Sequence, residues 1–94
     1  MLEIEHSGRK YKVETMHDEY DECDVYEYDV YDRKTDEIVA VVRETDTGYT
    51  SVQSGDGKVF LFFDPDYPKT VSELVTRGLD ELFEYVETLR SFTK

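Results

Sequence analysis

The chain of 94 residues has no tryptophan, one cysteine and two prolines. With Cys23 alone, no intramolecular disulfide can form and no cysteine-based zinc site can be completed. No apolar run approaches the roughly 18 residues that a spanning helix needs, and no basic-then-apolar leader is present. The expected location is therefore the cytoplasm, away from any membrane. Basic residues are missing from one long stretch: between Glu14 and Asp32 there is no Lys or Arg. Without a basic patch, direct binding to nucleic-acid phosphates is not expected.

The same stretch holds nine carboxylates, Glu14, Asp18, Glu19, Asp21, Glu22, Asp24, Glu27, Asp29 and Asp32. The net charge is −12, yet the other residues carry 14 acidic against 11 basic side chains, so the acidity is local. Salt adaptation would spread carboxylates evenly and use few lysines, whereas this chain has six. Thirteen aromatic residues and clear hydrophobic periodicity argue for a folded chain. Its length fits a single domain, read as a sheet over 1–64 and a helix over 70–92.

The helix is the strongest local signal. Val71, Leu74, Val75, Gly78, Leu79, Leu82, Phe83, Val86 and Leu89 recur at three- and four-residue steps and fall on one face, with Glu73, Asp80, Glu84 and Glu87 opposite. Thr70 and Glu73 fit a capping box, and Pro68 suits the entry turn. At about 1.5 Å per residue such a helix can lie across a whole small sheet. Gly78, on the apolar face, is either a point of close approach or a tolerated weak position.

What precedes it alternates. Leu2, Ile4 and His6 form a first strand, and Ser7-Gly8 turns it into a second carrying Tyr11 and Val13. Met16 to Cys23 shows neither period and reads as the longest loop. A third strand, 24–32, places Tyr26, Tyr28 and Val30 on one side and Val25, Glu27, Asp29 and Tyr31 on the other. Turn chemistry at 32–36 leads into a fourth strand, 37–44, apolar on both faces and hence central. Asp46-Thr47-Gly48 and Gly55-Asp56-Gly57 close two further hairpins, and Pro65 and Pro68 end the last strand. The expected fold class is α+β: an antiparallel meander of about six strands, flat or curled into a half-barrel, with one C-terminal helix on one face.

Catalytic signals are weak. His17 with Asp18, Asp21, Glu22 and Cys23 is the only stretch resembling a ligand cluster, and it contains no calcium-loop pattern; no metal site and no cofactor is expected. Cys23 with His6 or His17 lacks a third group and an elbow motif, and paired carboxylates for acid-base chemistry cannot be singled out in so acidic a stretch. Gly55-Asp56-Gly57-Lys58 joins two strands instead of opening a helix, so it reads as a turn and not a phosphate loop.

A binding protein is the expectation that remains. Carboxylates on one side of a strand recur about every 6.6 Å, close to the spacing of phosphates along a nucleic-acid strand. Asp18, Glu19, Asp21, Glu22, Asp24, Glu27 and Asp29 would act as phosphate-like charges toward a basic protein surface, with Tyr26 or Tyr31 as contact anchors. The stretch Tyr31-Asp-Arg-Lys-Thr-Asp-Glu-Ile-Val39 resembles a Tyr-Asp-x-x-Thr-Asp-Glu-x-Val stretch of the phage inhibitors of uracil-DNA glycosylase, small acidic β proteins that mimic DNA. The likeness covers nine residues, those inhibitors place their helices before the sheet, and no residue role is carried over. The expected role is thus an inhibitor, of phage type, acting on a nucleic-acid-processing or defence enzyme. The alternative is an assembly module that forms a homodimer through the uncovered sheet face, with Val39, Val41, Phe60 and Phe62 at the contact and the acidity serving solubility or edge protection.

Overall fold

The computed structural model describes residues 2–19, 23–66 and 70–92. Six strands, β1 (Leu2–His6), β2 (Arg9–Glu19), β3 (Asp24–Asp32), β4 (Ile38–Thr45), β5 (Thr50–Ser54) and β6 (Phe60–Phe62), are followed by one helix, α1 (Val71–Phe92). The strands pair in sequence order, each antiparallel to the next. The expected meander is the architecture found. It does not close into a barrel: β1 and β6 remain the two edges.

Turn chemistry sets this order. Ser7 and Gly8 both have positive φ, 52° and 80°, as a two-residue hairpin turn of the mirror-image type requires. Between β3 and β4 the Asp32 carboxylate accepts the Lys34 and Thr35 amides, at 2.8 and 3.2 Å, and meets Arg9 at 3.0 Å. The Lys34 amide above all, with the Thr35 amide and the Arg9 guanidinium, holds the Asp32 carboxyl below the usual range. The Gly55-Asp56-Gly57 segment is a hairpin turn as read, with the Gly57 amide donating to Ser54 O at 2.9 Å.

One sequence expectation is corrected. Residues 16–19 are strand and not loop: β2 runs eleven residues and pairs with β3 from Tyr11↔Asp32 to Glu19↔Asp24. Hydrophobic alternation stops at Val13, but the ladder continues because β3, nine residues long, supplies a partner for each residue. Of the expected loop, only Cys23 remains among the described residues outside a strand; Tyr20, Asp21 and Glu22 lie outside the described residues.

The helix covers one sheet face. Thr70 Oγ1 accepts the Glu73 amide at 3.1 Å, the N-terminal half of the expected cap. Leu74, Val75, Leu79 and Leu82 bury against Ile4, Val13, Tyr28, Val30, Ala40, Val42 and Val52. Gly78 is a point of close approach: a Cβ there would lie 2.8 Å from Val42 Cγ2 and 3.4 Å from Phe63 Cζ. His6 Nε2 and Asp80 Oδ1, 2.5 Å apart, tie β1 to the helix side. In the last turns Leu89 and Phe92 are exposed. Among the described residues, no helix is long and apolar enough to cross a membrane.

Candidate interaction surfaces

Because side chains alternate across a strand, the register assigns every residue of β2 and β3 to a face. Rows under the helix are apolar: Val13, Val30 and Ala40 stand side by side, and Thr15, Tyr28, Val42, Val52 and Leu61 form the next row. On the open face, one row runs Glu14, Asp29, Val41, Gln53, Phe60 and its neighbour Met16, Glu27, Arg43, Ser51, Phe62. Each open row therefore starts near the acidic stretch and ends on an aromatic ring.

The candidate carboxylates do not form one row. Asp18, Glu27 and Asp29 stand on the open face, and Glu19 and Asp24 on the helix side of the hairpin; Asp21 and Glu22 lie outside the described residues. Nor are they equally available. Asp29 is only 7% exposed, and Oδ1 is buried without a hydrogen-bond partner among the described residues. That burial, with Glu27 hydrogen-bonding and charged beside it, pushes the Asp29 carboxyl up to about 6 against the smaller opposing effect of Arg43. Glu27 Oε1 accepts from Arg43 Nε at 2.9 Å, while Arg43 Nη1 donates to Gln53 at 2.9 Å, binding β3, β4 and β5 together. Glu27 and Asp29 are thus engaged internally. Glu14, Asp18 and Glu19 are exposed, and Asp24 is half-exposed.

The hairpin formed by β2 and β3 outruns its neighbour, since β1 pairs with β2 only from Arg9 to Val13. Beyond Val13 no described strand pairs with the outer edge of β2, and the ladder sets Glu14 opposite Asp29 and Glu19 opposite Asp24. Like charges directly opposite each other in a ladder are destabilising. Near the end of this hairpin, His17, Glu19 and Asp24 offer ligand atoms within 4.8 Å of one another, the one set among the described residues that could meet a cation. Of the cluster the sequence suggested it contains His17; Asp18 points to the other face, and Asp21 and Glu22 lie outside the described residues. The His17 ring is stacked on Tyr26 at 4.5 Å, and His17 Nε2 lies 3.6 Å from Asp24.

The two tyrosine anchors are both half-buried. Tyr26 carries the His17 ring, and Tyr31 lies under Lys12, whose Nζ is 5.5 Å from the ring centre. Of the self-association candidates, Val39 and Val41 are half-buried, whereas Phe60 and Phe62 are 50% and 71% exposed. The sequence reading passed over Tyr49, which is 67% exposed and lies 6.4 Å from the Phe62 ring, with Phe60 and Phe62 5.2 Å apart. Its placement beside a hairpin turn was visible in sequence; its approach to β6 depended on pairing.

Comparison with protein-family models, curated proteins and solved structures finds no match. The surfaces themselves carry the functional argument.

Proposed function

We propose that this chain is a small acidic binding protein, not an enzyme, and that its β2–β3 hairpin engages a basic surface on a partner protein. The partner of best fit is a nucleic-acid-processing or defence enzyme, whose groove the carboxylates would occupy in place of phosphates, as an inhibitor does. The observation that carries this reading is the like-charge opposition of Glu19 and Asp24, with Glu14 and Asp18 exposed nearby, on a hairpin whose outer edge pairs with no described strand beyond Val13. A ladder selected for stability alone places opposite charges or apolar pairs across from each other. Local conflicts of this kind belong at working surfaces, and a partner's Lys or Arg side chains would relieve this one.

The test is capture from a host lysate by the wild-type chain and by a variant carrying Asp18→Lys, Glu19→Lys, Asp21→Lys and Glu22→Lys. Glu27 is left intact because it pairs with Arg43, and Asp29 because it is buried. The expected result is a basic protein held by the wild type alone and released by salt. Equal capture by both chains, or capture indifferent to salt, would contradict the hairpin reading.

A homodimer through the open sheet face is the second reading, favoured by the exposure of Phe60 and Phe62. It predicts a dimer in sedimentation that dissociates on Phe60→Lys or Val41→Lys and tolerates salt.

A further inference from the structure

Among the described residues no strand pairs with the outer edge of β6 either, and the strand itself carries no charge. The Phe63 amide donates to Thr50 O at 3.0 Å and Val59 O accepts the Ser54 amide at 2.9 Å. Alternate residues of β6 therefore face β5, and the N–H and C=O groups of Phe60 and Phe62 point outward from the sheet. Edge strands in natural proteins are commonly blunted by charged side chains or by Pro within the strand. β6 itself, Phe-Leu-Phe, has neither, and its protection is its shortness, three residues.

Two different walls flank this edge. On the open face stand Phe60, Phe62 and Tyr49. On the helix side a groove is lined by Leu61, Phe62, Glu81, Glu84, Tyr85 and Thr88. Glu81 and Glu84 are exposed, and neither meets a cation among the described residues; Arg77, one turn earlier, lies 3.8 Å from Asp66 instead. A strand laid along β6 would turn alternate side chains toward carboxylates and toward aromatic rings.

We propose that the β6 edge accepts an extended segment of a partner protein in which basic and apolar residues alternate, adding it as a seventh strand. Backbone groups of Phe60 and Phe62 supply the pairing, and the two walls supply the selection. A second copy of this chain fits poorly. Antiparallel joining of two β6 edges about a two-fold axis keeps both helices on one side, so Glu81 and Glu84 of each copy would approach those of the other, between chains of net charge −12 each. This site is separate from the hairpin, so each stands or falls alone.

The probe is a nine-residue peptide of alternating Lys and Val, compared with the same composition as a Lys block followed by a Val block, and with an alternating peptide methylated on the amides facing β6. Binding is read by NMR on the full chain, with amide protection at Phe60 and Phe62. The alternating peptide should bind and protect both amides. Affinity should fall about tenfold or more with Glu81→Lys and Glu84→Lys together, and likewise with the methylated peptide, while Asp18→Lys with Glu19→Lys leaves it unchanged. Equal binding of the block peptide, loss of binding in the hairpin variant, or protection of both amides in a dimer without peptide would each overturn the proposal.

Discussion

The two faces of the sheet are built from the same strands, one residue out of step, and they have been put to opposite uses. Under α1, Val13, Val30, Val42 and Val52 are completely or almost completely buried. Turned away from it, their neighbours Glu14, Asp29, Val41 and Gln53 form a row that passes from charge to apolar side chain to amide, and Phe60 ends it on a ring. The covered face does the work of folding, because apolar area removed from water is its main source of stability. That leaves the open face and its edges free to carry features that a stable sheet does not need: opposed carboxylates at one end and exposed phenylalanines at the other.

The sharpest break of this comparison is Leu79→Ala. It opens a cavity at the centre of the helix contact and should cost about 3 kcal/mol in chemical denaturation, whereas Val41→Ala, half-buried on the other face, should cost under about 1 kcal/mol. If the two costs are equal, the open face is not the energetically idle one.

Gly78→Ala ranks next. Alanine favours a helix by about 1 kcal/mol over glycine, but its Cβ would press on Val42 Cγ2 at 2.8 Å, and a β-branched side chain cannot swing aside. Net destabilisation of roughly 1 to 2 kcal/mol is expected. The loss should shrink in a chain that also carries Val42→Ala, and a double-mutant cycle measures that coupling.

The smallest effect sharpens the contrast between the carboxylates. Asp29 titrates from about 6 in the folded chain, against an ordinary 3.8. The folded form thus keeps a proton that the unfolded chain releases. The group's contribution to stability is complete below about pH 3.8 and is lost as pH rises through about 6. Asp29→Asn removes that loss, so at pH 7 the variant should be more stable by roughly 1 kcal/mol, a fraction of the full shift because the buried amide must itself find hydrogen-bond partners. Asp32 works in the other direction: held low by the Lys34 amide first, it contributes stability above its unfolded value and loses it as pH falls through the folded one. Urea unfolding of wild type and Asp29→Asn from about pH 2 to pH 7 separates the two slopes, the Asp32 loss falling at the acid end and the Asp29 loss above it.

Much of this arrangement was legible before any coordinates. Ser7-Gly8, Asp46-Thr47-Gly48 and Gly55-Asp56-Gly57 mark hairpins by chemistry that few other local structures use, and α1 has one continuous apolar stripe. Faces within each strand follow from alternation alone. The extension of β2 through residues 16–19 was hidden because nothing apolar repeats there, yet a clue existed: a nine-residue third strand in a hairpin calls for a partner of similar length. The internal use of Glu27 and Asp29 was not legible. It depends on Arg43 and Gln53 arriving beside them from β4 and β5, which is a matter of register between strands. The acidic stretch thus looked uniform in sequence and divides in space, with Glu27 and Asp32 bonded within the sheet and Asp29 buried, while Glu14, Asp18 and Glu19 face outward.

The central claim is that the outward carboxylates are a working surface. The most direct test is the salt dependence of affinity for the captured basic partner, measured for the wild type and for the Asp18→Lys, Glu19→Lys, Asp21→Lys, Glu22→Lys variant. Wild-type affinity should fall steeply as ionic strength rises, since exposed charges are screened over about 10 Å at 0.1 M, and the variant should bind weakly at every salt concentration. A wild-type affinity that is flat across that range, or a variant that matches it, would contradict the account.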